Sequence, residues 1–156
     1  MRVAFANDHS GYPMREDALE ILQDLGAEVI DHGSNSPERV DFPDLARRVC
    51  DSIRRAEAER GIMLCGTGLG AAIAANKTPG IRAGVCHDVH SAHQGVEHDN
   101  IGVLCLGAKI IGPWLAREII TAFLGAHFST DPYFRQRDKK VDQMELEFAR
   151  ELKDRI

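Results

Sequence analysis

A cysteine followed at once by three alternating glycines, Cys65-Gly66-Thr67-Gly68-Leu69-Gly70, is the stretch of this chain best suited to chemistry. If the cysteine ends a strand and the glycines turn into a helix, unpaired N–H groups and the positive end of the helix dipole favour a thiolate there. The same backbone aims several N–H groups at one anionic oxygen, which is what a developing oxyanion needs. The competing assignment is a small buried residue, the usual fate of a free cysteine.

Three familiar loops fit less well. A tyrosine-phosphatase phosphate loop requires an arginine where this chain has Ala71. A Walker loop requires Gly-Lys-Ser/Thr, which is absent. A dinucleotide fingerprint belongs in the first βαβ unit, whereas this glycine run lies in the third and is one residue short. A non-catalytic nucleotide-binding module therefore remains only as an alternative of a different class.

His87, His90, His93 and His98, with Cys86, Asp88 and Asp99 among them, resemble a metal cluster in composition. Their spacing swings around a helix instead of converging on one ion, and no His-Glu-x-x-His pattern appears, so no metal is expected. His98 stands apart because it lies at the approach to a strand and is expected at the ligand-binding edge.

The elements that must position these groups follow from periodicity. Five short apolar runs, Val3 to Ala6, Glu28 to Ile30, Gly61 to Cys65, Ile81 to Cys86 and Val103 to Leu106, read as strands covered on both faces. Helices are expected over Arg15–Leu25, Pro43–Ala58, Leu69–Asn76, Val89–Glu97 and Pro113–Leu124. The alternation implies an α/β fold, a three-layer, doubly wound, Rossmann-like domain with a five-stranded parallel sheet. Such sheets bind ligands beyond the carboxyl ends of their strands. Asn7-Asp8-His9, Asp31-His32-Gly33-Ser34 and His87-Asp88 follow the runs and join the cysteine loop there. A charged segment, Arg135–Ile156, carries Val141, Met144, Phe148 and Leu152 at helical spacing and is expected to form an extra C-terminal helix, which either covers its own sheet or packs on a second subunit.

Composition limits the alternatives. With 156 residues, 44% of them hydrophobic and 28% charged, the chain suits a single domain over residues 1–156. A formal charge of −5 argues against nucleic acid as a partner. The four cysteines form no Cys-x-x-Cys pair, so reduced thiols are expected. The first residues show no long apolar run of a signal peptide or membrane span, so a cytoplasmic protein, away from membranes, is expected.

Taken together, Asp8-His9-Ser10-Gly11, Asp31-His32-Gly33, Asp41-Phe42-Pro43, the Cys65–Gly70 loop, Ala74-Ala75-Asn76-Lys77, Gly80-Ile81-Arg82-Ala83 and His98 ahead of Val103-Leu104 resemble the type B ribose-5-phosphate isomerases. The galactose-6-phosphate isomerase subunits belong to the same family. The resemblance runs in register from residue 2 to Leu124, then loosely through the tail. It implies a metal-free, cofactor-free aldose–ketose isomerase of ribose 5-phosphate and ribulose 5-phosphate. It assigns Cys65 as the base, and Gly66, Thr67, Gly68, Leu69 and Gly70 to the enediolate oxygens. It assigns Asp8 to the sugar hydroxyls, His98 to opening of the sugar ring, and His9 and Arg137 to the phosphate, with Arg39, Lys109 and Arg135 as further cationic candidates. The resemblance also implies a pocket lined by two subunits, hence a homodimer or a dimer of dimers.

Two positions depart from the family pattern. Asp99 stands where an asparagine usually follows the ring-opening histidine, and Tyr133 replaces the first of two tail arginines one helical turn apart. A carboxylate disfavours a nearby anion and accepts from different hydroxyls, so tetrose and hexose phosphates join the pentose as expected substrates.

Overall fold

The computed structural model describes residues 1–155. Five parallel strands, β1 (Arg2–Asn7), β2 (Glu28–Asp31), β3 (Arg60–Cys65), β4 (Ala83–Val85) and β5 (Val103–Gly107), form one sheet in the order β2-β1-β3-β5-β4. Between and after them run α1 (Arg15–Asp24), preceded by a single 3₁₀ turn over Tyr12–Met14, and α2 (Phe42–Arg54), α3 (Leu69–Ala75), α4 (Val89–Asp99), α5 (Pro113–Gly125) and α6 (Pro132–Arg155).

Alternate side chains of a strand point to opposite faces, so a strand buried on both must be apolar throughout. Val3 and Phe5 of β1 enter a core with Leu22 of α1, Val96 of α4 and Ile119 and Phe123 of α5. Ala4 and Ala6 enter the opposite core, with Val49 and Cys50 of α2 and Ala71 and Ala75 of α3. This is the expected three-layer, doubly wound arrangement. Burying each large side chain contributes about 1.5–3 kcal/mol.

Element ends differ from the expected ones for local reasons. Helix α2 stops at Arg54, short of Ala58, because Ala56 is left-handed (φ 56°) and the Ser52 carbonyl accepts from Glu57 and Ala58 N–H. Helix α4 runs to Asp99, two residues beyond expectation, and is ended by left-handed Asn100. Strand β4 keeps only three residues, since the Arg82 carbonyl already turns to Gly102 and Val103 N–H. Helix α6 starts at Pro132 instead of Arg135, where the Asp131 carboxylate accepts from Tyr133 N–H at 2.9 Å.

Helix α6 buries none of its residues. It lies outside both cores, and Val141, Met144, Leu146, Phe148 and Leu152 are each at least half exposed. Among the described residues no helix is long and apolar enough to cross a membrane.

Candidate active site

Chain order reverses between β1 and β3, where β2 lies on one side and the rest of the sheet on the other. In open α/β sheets, ligands bind at such a reversal, outside the carboxyl ends of the two strands. Asp8 stands there, directly after β1. Its N–H donates to the Leu64 carbonyl, and its Oδ1 accepts from Ser10 and Gly11 N–H at 2.8 Å each, so one oxygen shapes the turn. The residue is nearly buried.

Cys65 enters from β3 with 6% of its surface exposed. Its Sγ accepts from Gly68 N–H at 3.0 Å, which stabilises negative charge on the sulfur. Gly68 must be glycine: its φ is +80°, and a Cβ there would sit 3.1 Å from the Cys105 carbonyl oxygen. Thr67 projects to solvent, its Oγ1 accepting from Leu69 N–H at 3.4 Å.

The segment after β5 folds over the same loop. Ala108 N–H donates to the Cys65 carbonyl at 2.9 Å and Lys109 N–H to the Gly66 carbonyl at 3.1 Å, while the Lys109 side chain stays exposed alongside. His87, beyond β4, accepts from Gly107 N–H through Nε2 at 2.9 Å. His9 Nδ1 accepts from Val40 N–H at 3.5 Å, which brings exposed Arg39 to the rim. One sheet edge thus gathers Asp8, His9, Cys65, Gly66, Thr67, Gly68, Leu69, Gly70 and Lys109.

A polar bridge, buried at Asn7 and Arg15 and open to solvent at Asp31, fixes this edge from below. Arg15 donates to Asn7 Oδ1 at 2.7 Å and pairs with Asp31, while Asn7 Nδ2 donates to the Ser34 carbonyl at 2.9 Å. Burial pushes the Asp31 carboxyl up, but the Arg15 guanidinium and Gly33 N–H outweigh it and hold the group below the usual carboxylate range. Cys50, Cys86 and Cys105 are pushed up, chiefly by burial, which leaves them neutral thiols of the interior.

His98 does not join this edge, contrary to expectation. It sits in the last turn of α4, and the chain then enters β5 from its amino end, where Gly61 N–H donates to the Gly102 carbonyl at 2.8 Å. Gly61 pairs with Val103 and Cys65 with Gly107, so the His98 end of the sheet is about 13 Å of strand away from the cysteine loop. The approach to a parallel strand lies at the amino edge, opposite the ligand-binding one. There His98 and Asp99 line a cavity of about 210 Å³ with Arg82, Ile101, Arg137 and Asp138.

The tail arginines divide. Arg137 lines the His98 cavity, its guanidinium 5.2 Å from the Tyr133 ring centre. Arg135 instead donates to the Ser129 carbonyl at 2.6 Å and lies over the Phe128 ring, so it braces the turn before α6. Two further residues of this cavity region were not assigned roles by the sequence. Arg82 pairs with Asp138 and Asp142 and ties α6 to the sheet, and Phe134 stacks on His98 at 4.0 Å. Arg82 lay in the Gly80–Ala83 motif, whereas nothing in the sequence marked Phe134. Among the described residues no three His, Cys, Asp or Glu side chains are grouped as metal ligands would be.

The model of the Ribose/Galactose Isomerase family matches residues 3–144 of this chain. The chain belongs to that family. It is 41% identical over 127 residues to ribose-5-phosphate isomerase B of Escherichia coli, an alignment covering 81% of this chain and 85% of that one. It is 40% identical over 129 residues to D-erythrulose-4-phosphate isomerase of Pectobacterium atrosepticum, covering 82% and 85%. The solved structure of ribose-5-phosphate isomerase B from Clostridium thermocellum superposes with a TM-score of 0.91 at 38% identity, covering 95% of this chain and 99% of that one. At the level these matches share, the chain is a sugar-phosphate isomerase, an aldose–ketose isomerase by reaction class.

Proposed function

We propose that this isomerase interconverts ribose 5-phosphate and ribulose 5-phosphate through an enediolate, with Cys65 as the base and no cofactor. The observation that carries the proposal is the Gly68 N–H donated to Cys65 Sγ at the carboxyl edge of the switch point. In the reaction the Cys65 thiolate removes the C2 proton of the open-chain aldose. The C2–H electron pair forms the C1=C2 bond, and the carbonyl oxygen becomes an oxyanion. Cys65 returns the proton to C1 while the O2 proton passes to O1, which leaves a C2 carbonyl and a C1 hydroxyl and completes the ketose. Main-chain N–H groups of the Gly66–Gly70 loop beyond those that Cys65 and Thr67 already engage serve the oxyanion, where preorganised donors contribute most. The Asp8 oxygen not used in its turn takes sugar hydroxyls, and His9, Arg39 and Lys109 supply cations for the phosphate.

The working unit is a homodimer. Cys65 and His98 lie at opposite edges of one sheet, so a second copy must bring its His98, Asp99 and Arg137 to the Cys65 loop of the first. The exposed apolar face of α6 gives that copy something to pack on. Four free cysteines suit the reducing cytoplasm.

The test is a panel of four-, five- and six-carbon aldose phosphates, with Cys65→Ala beside the wild type. The expected result is fastest conversion of ribose 5-phosphate and a loss of at least about 100-fold in kcat for the variant, with KM nearly unchanged. A variant that keeps full kcat would remove Cys65 from the mechanism. Fastest turnover of erythrose 4-phosphate would reassign the substrate to a tetrose, the choice that the erythrulose-4-phosphate isomerase relative favours.

A further inference from the structure

An imidazole that is to move protons at a sugar ring must present its nitrogens in a fixed direction, and the torsion that sets its ring plane is intrinsically broad. Hydrogen bonds to the ring nitrogens usually provide the constraint. His98 has none among the described residues. Its Nε2 lies 3.8 Å from Glu97 Oε2, beyond hydrogen-bond reach, and Glu97 also faces His93 Nδ1 at 3.5 Å.

What constrains the His98 ring is Phe134 of α6. The two rings lie 4.0 Å apart and within 13° of parallel. The stack is braced in turn: the Tyr133 ring meets Phe134 edge-on at 5.4 Å and 74°, and Arg137 covers Tyr133. One run of contacts therefore joins the two groups of this cavity with the clearest expected roles, His98 and Arg137.

We propose that Phe134 is a positioning residue that fixes the plane of the His98 imidazole. One ring face is covered, and the nitrogen-bearing edge is left free for the reacting sugar. This rests on the isomerase reading and extends it: Phe134 touches no reacting atom and acts only through His98. A stack does this better than a hydrogen bond would, because it leaves both ring nitrogens free to give and take protons.

The test is a double-mutant cycle on whichever aldose phosphate the wild type converts fastest. Phe134→Leu keeps apolar bulk but loses the flat face, and it should lower kcat/KM about tenfold, mostly in kcat. Phe134→Tyr restores a flat ring and should recover wild-type turnover. In a His98→Ala background, Phe134→Leu should cost less than about twofold, since the group it positions is gone. Proton NMR gives a readout that needs no activity: the His98 ring protons, shielded by the stack in the wild type, should move downfield in Phe134→Leu. Equal losses with and without His98, or a tyrosine variant as impaired as the leucine one, would overturn the proposal and leave Phe134 as mere packing. So would unmoved His98 resonances. If Phe134→Leu fails to fold, Phe134→Met takes its place in the cycle. A wild type that converts no sugar phosphate would instead overturn the isomerase reading itself, a separate failure.

Discussion

Arg15, nearly buried and paired with Asp31 and Asn7, puts the edge of the candidate site under the control of a single ion pair. Asp31 is held below its usual range when folded, so it contributes stability above the pKa of the unfolded carboxyl, near 4. That contribution disappears as pH falls through the lower folded value. Asp31→Asn should therefore cost about 1 kcal/mol at neutral pH, a modest figure because the carboxylate is partly solvated. Urea unfolding at pH 7 and pH 3 would check it, with the two proteins converging at the acid end. At this scale the position of Cys65, at the end of β3 and the start of a glycine turn, was legible because an apolar run that breaks into alternating glycines marks a strand end. The placement of His98 was not, because a motif states what a residue is and not at which end of a strand its chain enters. Phe134 left no trace, since one aromatic in a charged helix looks like any other.

Among the elements, the central strands β1, β3 and β5 were legible because a strand covered on both faces must be apolar almost throughout, while the edge strands β2 and β4, only partly covered, were found as short aliphatic runs between helices. Their ends were less so, being set by left-handed residues such as Ala56 and Asn100 that no composition rule singles out. Helix α6 was legible as amphipathic, but its attachment depends on Arg82, whose partners are more than fifty residues away in sequence. Arg82→Met keeps the length of the side chain and removes the charge, leaving Asp138 and Asp142 unpaired. It should weaken docking of α6 by about 2 kcal/mol. Hydrogen exchange should show amides of α6 losing protection while β1, β3 and β5 keep theirs. Uniform loss across the sheet would mean that Arg82 supports the whole fold instead.

For the whole molecule, the proposed homodimer would make activity a property of pairs, since Cys65 and His98 lie at opposite edges of one sheet. Cys65→Ala and His98→Ala proteins, each strongly impaired alone, should regain about a quarter of wild-type activity when unfolded together and refolded, because half the dimers are mixed and each carries one intact site. No recovery on mixing would place the complete site within one chain. Specific activity should likewise fall on dilution below the dimer dissociation constant, and light scattering at the same concentrations would show the mass falling in step.

The two hydrophobic cores are complete without the C-terminal helix, which carries Phe134 and Arg137 and is anchored through charged side chains. Warming should therefore inactivate this enzyme at temperatures where calorimetry still registers an intact sheet domain. Cooling should then bring turnover back without refolding, so the heat sensitivity of catalysis would report how firmly the tail is attached.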